Sequence, residues 1–232
     1  RGAISIGRRL QDPLSELVKI DPANIGVGLY QHDVRAKHLQ ASLDEVVESC
    51  VNYVGVNVNT ASPALLGYVS GLNQLTARRV YEYRMQRGPF RSREQLKDVP
   101  GFGEATFVQA AGFLKISGGP NPLDATWIHP ESYPTADQVL AKLEHRPEDL
   151  QNQEAVAALA EQTRQIDASA VAAELNVGTW LLRDILAQFA RPGRDPREDL
   201  PPPVFRKGVL KLEDLEPGME LTGTILNVVD FG

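Results

Sequence analysis

Residues 69–80, Val69-Ser70-Gly71-Leu72-Asn73-Gln74-Leu75-Thr76-Ala77-Arg78-Arg79-Val80, are echoed thirty positions later by Val99-Pro100-Gly101-Phe102-Gly103-Glu104-Ala105-Thr106-Phe107-Val108-Gln109-Ala110. Each copy sets an apolar residue between two turn formers, after one helix end and before the next helix. Gly71 and Gly101 accept positive φ and carry no Cβ. Asn73 and Gly103 also tolerate the left-handed region. Such a chain folds as helix, tight turn and helix, twice over, with Leu72 and Phe102 tucked beneath the turns. Ser62-Pro63 reads as an N-cap with proline in the first helical position, opening a helix through Val69. A second helix runs from Gln74 to Gln86 and stops at Gly88-Pro89. Ser92-Arg93-Glu94-Gln95 reads as a capping box for a third, and a fourth follows the second turn and ends near Gly112.

This is the helix-hairpin-helix pattern. The helix after each turn begins with unpaired N–H groups and the positive end of its dipole, where a phosphate is the natural occupant. One Gly-x-Gly between helices is as often a plain tight connection. Two in register favour a compact module that grips a nucleic-acid backbone. Contacts to phosphates carry no sequence information, so the module is expected to bind without sequence specificity.

Charge is unevenly distributed. The whole chain carries −6, but residues 76–97 hold seven basic side chains (Arg78, Arg79, Arg84, Arg87, Arg91, Arg93, Lys97) against Glu82 and Glu94. Residues 131–203 hold thirteen acidic and seven basic side chains. A cationic module beside an anionic one is a directed electrostatic footprint.

The flanks are less telling. From Leu39 to Tyr53 an apolar period near 3.6 (Leu43, Val46, Val47, Cys50, Val54) marks a connecting helix, and Val56–Ser62 reads as a polar turn. Thr135-Ala136-Asp137-Gln138 reads as the cap of a helix within a helical stretch from 124 to 190. There Asn176-Val177-Gly178-Thr179 separates two apolar helices. It is either a degenerate third hairpin or, as the acidic surroundings favour, a plain connection. Arg191 to Pro203 reads as a stiff linker. Beyond it Leu221–Phe231 alternates polar and apolar residues as a barrel's first strand does, with Phe231 placed for base stacking. The single cysteine, Cys50, leaves no intramolecular disulfide and fits a reducing compartment. No apolar run approaches a membrane span. The opening on Arg1 and the close at Gly232 read as a piece of a longer protein.

Enzymatic chemistry finds little support. Gly26-Val27-Gly28 lacks the third glycine and following helix of a nucleotide fingerprint. Asp12, Asp21 and Asp33 have no metal-fixing spacing, and His32, His38, His129 and His145 are scattered. The expectation is a non-enzyme without metal or cofactor.

Several ordered blocks carry a resemblance. These are Ser5–Leu14, Tyr30–Val34, Asn57–Ser62, the double hairpin, Asn121-Pro122-Leu123-Asp124, His129-Pro130-Glu131-Ser132-Tyr133, and Pro192-Gly193-Arg194-Asp195-Pro196. Together they resemble the Tex family of bacterial transcription accessory proteins over essentially the whole chain. The resemblance implies a YqgF (RNase H-like) domain, tandem helix-hairpin-helix units, a further helical unit and an OB fold of the ribosomal S-one type that binds nucleic acid. It also sets Phe102 where the family often has a basic residue.

The fold class expected is mainly α, with α/β remnants at the N-terminus and an OB-fold strand at the C-terminus. The resemblance divides the chain into the end of a YqgF domain (1–38), a connecting helix and turn (39–60), tandem helix-hairpin-helix units (61–117), a second helical unit (121–190), a Pro-rich linker (191–215) and the first OB-fold strand (216–232). The function expected is non-sequence-specific binding of RNA or DNA backbone by a cytoplasmic, monomeric part of a transcription accessory factor. Its contacts would come from Gly71, Leu72, Asn73, Arg78, Arg79, Arg84, Arg87, Gly101, Phe102, Gly103 and Phe231. Transcription machinery is a further partner, and no membrane is involved. The alternatives are a scaffold that docks transcription proteins through the acidic helices, or support for a nuclease-like upstream domain.

Overall fold

The computed structural model describes residues 2–11, 13–24, 33–193, 195 and 197. Gly26-Val27-Gly28, most of the Tyr30–Val34 block, the linker beyond Arg197, the barrel strand and Phe231 lie outside the described residues. The chain divides into a unit spanning 1–196 and a second spanning 197–232. The description below concerns the first.

That unit is mainly helical. Helices α1 (Gly2–Gln11) and α2 (Leu14–Leu17) precede the long α3 (Ala36–Val54), which ends at Gly55 with φ +74°. A short strand β1 (Val56–Asn57) leads to α4 (Pro63–Leu66), capped by the Ser62 hydroxyl on the Leu65 N–H at 3.2 Å. Helix α5 (Gln74–Arg87) and α6 (Glu104–Ala110) follow the two glycine turns, and β2 (Leu114–Lys115) closes the first lobe. Strands β1 and β2 pair in parallel, Val56 opposite Leu114 and Asn57 opposite Lys115. The turn expected over 56–62 begins only at Val58, because Val56 and Asn57 pair with residues that lie beyond both hairpins.

The thirty-residue repeat is written into the first core. Leu66 and Leu96, Val69 and Val99, Ala77 and Phe107, and Val80 and Ala110 are buried in register. The second core is built from α7 (Tyr133–Lys142), α8 (Gln153–Gln165), α9 (Ala168–Leu175) and α10 (Thr179–Ala190) around Leu140, Leu159, Leu182, Ile185 and Phe189. Among the described residues no helix is long and apolar enough to cross a membrane.

Two local expectations are corrected. The segment after Ser92 is a 3-10 helix, Arg93–Asp98, and Ser92 makes no side-chain cap. Gln95 Oε1 instead accepts from the Arg91 N–H at 2.6 Å. The cause is Arg93, whose own N–H donates to Asp124 Oδ2 at 3.1 Å and whose side chain turns inward. Likewise α7 starts at Tyr133 behind Ser132, ahead of the Thr135 cap, because the 3-10 turn Pro130–Ser132 feeds straight into it.

Arg93 joins the two lobes. It is 1% exposed. Its guanidinium donates to Leu114 O (2.7 Å) on one side, and to Ile128 O (2.7 Å), Thr126 O (2.6 Å) and Tyr133 Oη (2.7 Å) on the other. The Tyr133 hydroxyl in turn donates to Asp124 Oδ1 at 2.6 Å. A buried arginine is tolerated only with its donors satisfied, and here two lobes supply the acceptors.

Candidate nucleic-acid interface

The two turns share a frame. Gly71 and Gly101 stand at φ +85° and +84°. The next N–H folds back, Leu72 to Val69 O at 3.0 Å and Phe102 to Val99 O at 2.9 Å. Phe102 is buried and Leu72 half-buried, each under its turn. Asn73 and Gly103 are not left-handed, as the sequence suggested. At φ −106° and −81° they are extended N-caps of α5 and α6, because the turn needs only one positive φ.

Each turn rests on the helix that follows the other. A Cβ on Gly71 would meet Gln109 Cβ on α6 at 2.7 Å, and one on Gly101 would meet Arg79 Nη1 on α5 at 2.4 Å. Residues 79 and 109 are equivalents in the thirty-residue repeat. The motifs are therefore interlocked with approximate two-fold symmetry, and they differ in what the equivalent positions carry.

At the first turn the groups are already engaged. Asn73 Oδ1 accepts from the Thr76 N–H (2.8 Å) and hydroxyl (3.1 Å). Asn52 on α3 grips Ser70 through its N–H (3.0 Å) and Oγ (2.9 Å), and that hydroxyl donates to the Glu48 carboxylate at 2.9 Å. A carboxylate in that place opposes an incoming anion. At the second turn the residue over the glycine is a cation, with Arg79 Nη1 donating to Pro100 O at 3.1 Å. Gly103 gives α6 no side-chain cap, and the space where its Cβ would stand is open. Lys97 lies near this turn between Glu94 (3.0 Å) and Glu104 (3.1 Å).

The structure sorts the arginines of the cationic stretch. Arg78, Arg87 and Arg91 are exposed. Arg84 is turned to the fold, donating to Val58 O and to Ala61 O (3.0 Å), and burial lowers its pKa from the ordinary value. Arg93 is the buried joint between lobes. No local pattern in the sequence distinguishes these two from their neighbours, since their acceptors are carbonyls distant in the chain. Asn52 and Glu48, also unforeseen, sit on the connecting helix one turn apart.

The third turn has a related geometry. Asn176 is left-handed (φ 53°, ψ 45°), the Val177 N–H returns to Ala172 O at 3.0 Å, and Gly178 opens α10 without a side-chain cap.

Turns interlocked in this way define a protein of the helix-hairpin-helix class. Comparison with known families agrees: residues 51–115 match the helix-hairpin-helix motif and residues 121–197 an HHH domain. Over all 232 residues the chain is 50% identical to Protein tex of Bordetella pertussis and 50% identical to transcriptional accessory protein Tex of Neisseria gonorrhoeae. It is 36% identical, over an alignment of 281 residues, to a human S-one RNA-binding domain-containing protein. Along its whole length the chain is similar to a part of these Tex proteins. It spans 28–30% of the length of these relatives.

Proposed function

We propose that this segment is a nucleic-acid-binding part of a transcription accessory protein, and that it contacts the phosphate backbone without reading sequence. It acts by binding rather than catalysis. The observation that carries the reading is the interlocked hairpin pair, in which Arg79 of one motif lies on the turn of the other. A phosphate at the second turn would meet main-chain N–H groups, an open glycine and a guanidinium together, a charge-assisted arrangement, with the adjacent Glu104 carboxylate paired to Lys97 at 3.1 Å. Arg78, Arg87 and Arg91 extend the cationic surface along the same lobe. The first turn, with Asn73 and Asn52 filling its polar positions and Glu48 beside it, is the structural partner. The names of the relatives, one for transcription and one for RNA binding, agree with this reading.

The test is fluorescence anisotropy with single-stranded RNA, single-stranded DNA and duplex DNA across a salt series. Affinity for duplex DNA should fall with a log–log slope of about −0.9 per phosphate contacted. Gly103→Ala is the sharpest variant. At φ −81° with open space around it, alanine fits the fold, yet its methyl group stands where a phosphate would approach. A tenfold loss of binding with an unchanged melting temperature supports the reading. Unchanged binding by both Gly103→Ala and Arg79→Glu refutes it.

A further inference from the structure

The second lobe carries a surface that the hairpin reading does not use. On α10, Trp180 is 77% exposed and Leu181 37% exposed. Asp184 follows Trp180 by one turn, on the same face. Leu181, Asp184 and Ile185 form one wall of a groove of about 430 Å³ whose other wall is Trp127, Ile128 and His129. The Arg183 guanidinium packs 5.2 Å from the Trp180 ring and stiffens it. Lys115 lies 4.8 Å from the Trp127 ring with its ammonium donating to Val54 O. Asp184 is the carboxylate in the groove's lining, Glu131 lies 3.5 Å from His129 of the other wall, and the neighbouring cations Lys115 and Arg183 are set over the Trp127 and Trp180 rings. From 124 to 191 the lobe has eleven acidic side chains against five basic ones.

Tryptophan and arginine are enriched among the residues that carry binding energy at interfaces, and here an exposed pair of them stands beside an apolar groove. The charge decides what covers it. Carboxylates on the rim of an anionic lobe repel phosphate and attract cations. We propose that this groove docks a basic peptide segment of a partner protein. An apolar side chain of the peptide sits against Leu181 and Ile185 under the edge of Trp180, and a lysine or arginine meets Asp184 and Glu131. This surface is independent of the hairpin site.

The chain's two tryptophans are Trp127, which lines the groove, and Trp180, which precedes its lining residue Leu181, so intrinsic fluorescence is sensitive to an occupant. The full chain is titrated with a short amphipathic lysine–leucine peptide, its glutamate–leucine counterpart, and oligothymidylate. The lysine–leucine peptide should give a saturable blue shift. Trp180→Ala and Asp184→Lys, both surface changes checked by circular dichroism, should each weaken peptide binding, read by anisotropy of a labelled peptide, at least tenfold. Arg78→Glu should leave it unchanged while weakening oligonucleotide binding, which separates this proposal from the hairpin reading. Equal binding of the glutamate peptide, or insensitivity to either groove variant, overturns it.

Discussion

Replacing Arg93 with methionine keeps the buried aliphatic stem and removes every donor. The carbonyls of Leu114, Ile128 and Thr126, and one lone pair of the Tyr133 hydroxyl, then lose their partner in the interior. Each orphaned buried acceptor costs about 1–3 kcal/mol before relaxation. Methionine recovers part of this by avoiding the desolvation of a guanidinium, so the acceptors cannot be summed at full value. Removing one member of a buried charged network typically costs about 3–5 kcal/mol, and that is the expected loss. For a unit of this size each kcal/mol lowers the melting temperature by roughly 2–4 °C, giving a fall of roughly 6–20 °C. Differential scanning calorimetry measures it, and because the two cores meet at this residue, the variant should also melt in two resolved transitions. Arg93→Lys, whose single ammonium nitrogen cannot span the three carbonyls that the guanidinium reaches from separate nitrogens, should fall between. A methionine variant that melts as one transition within roughly 2 °C of the parent would refute the argument.

Gly71→Ala places a methyl group against Gln109 Cβ at positive φ and should cost at least about 1–2 kcal/mol, read by urea denaturation. A smaller loss would mean the two hairpins are not tightly interlocked. Asn73→Ala removes the α5 cap and should cost about 1 kcal/mol in the same assay. Burial raises the Tyr133 pKa above its ordinary value of 10.0. A group held protonated in the fold contributes stability that is intact below the unfolded pKa and is lost as pH rises above it. Melting temperature should therefore decline above pH 10, less steeply in Tyr133→Phe, and parallel profiles for the two proteins would count against that role.

Much of the first lobe was legible because its determinants are local. Gly71, Gly101, the Gly88 stop and the apolar repeat each act within a few residues, and the structure places them as read, whereas Asn73 is an extended cap and not a left-handed turn residue. The losses were non-local. Strand β1 exists because Phe113 and Lys115 accept its N–H groups. Ser92 fails as a cap because Arg93 is drawn to acceptors more than twenty residues away. The same distance hid the roles of Arg84 and Arg93, which sequence alone cannot separate from surface arginines. The difference between the two turns followed from residue 79 being arginine and 109 glutamine, a contrast visible in the sequence but without meaning until the interlocking was known.

The parallel pair formed by β1 and β2 has a mechanical corollary. The hairpin pair is bracketed by Val56 and Lys115, and these two ends are stitched side by side by Val56 N–H to Phe113 O at 2.8 Å and Val58 N–H to Lys115 O at 3.0 Å. Tension applied along the polypeptide enters one strand at its beginning and leaves its neighbour at its end. It loads those bonds together in shear, whereas an antiparallel hairpin peels them one at a time. Pulling on the chain would thus spare both glycine turns until the clasp gives way, and the lobe would keep its shape on a strained template.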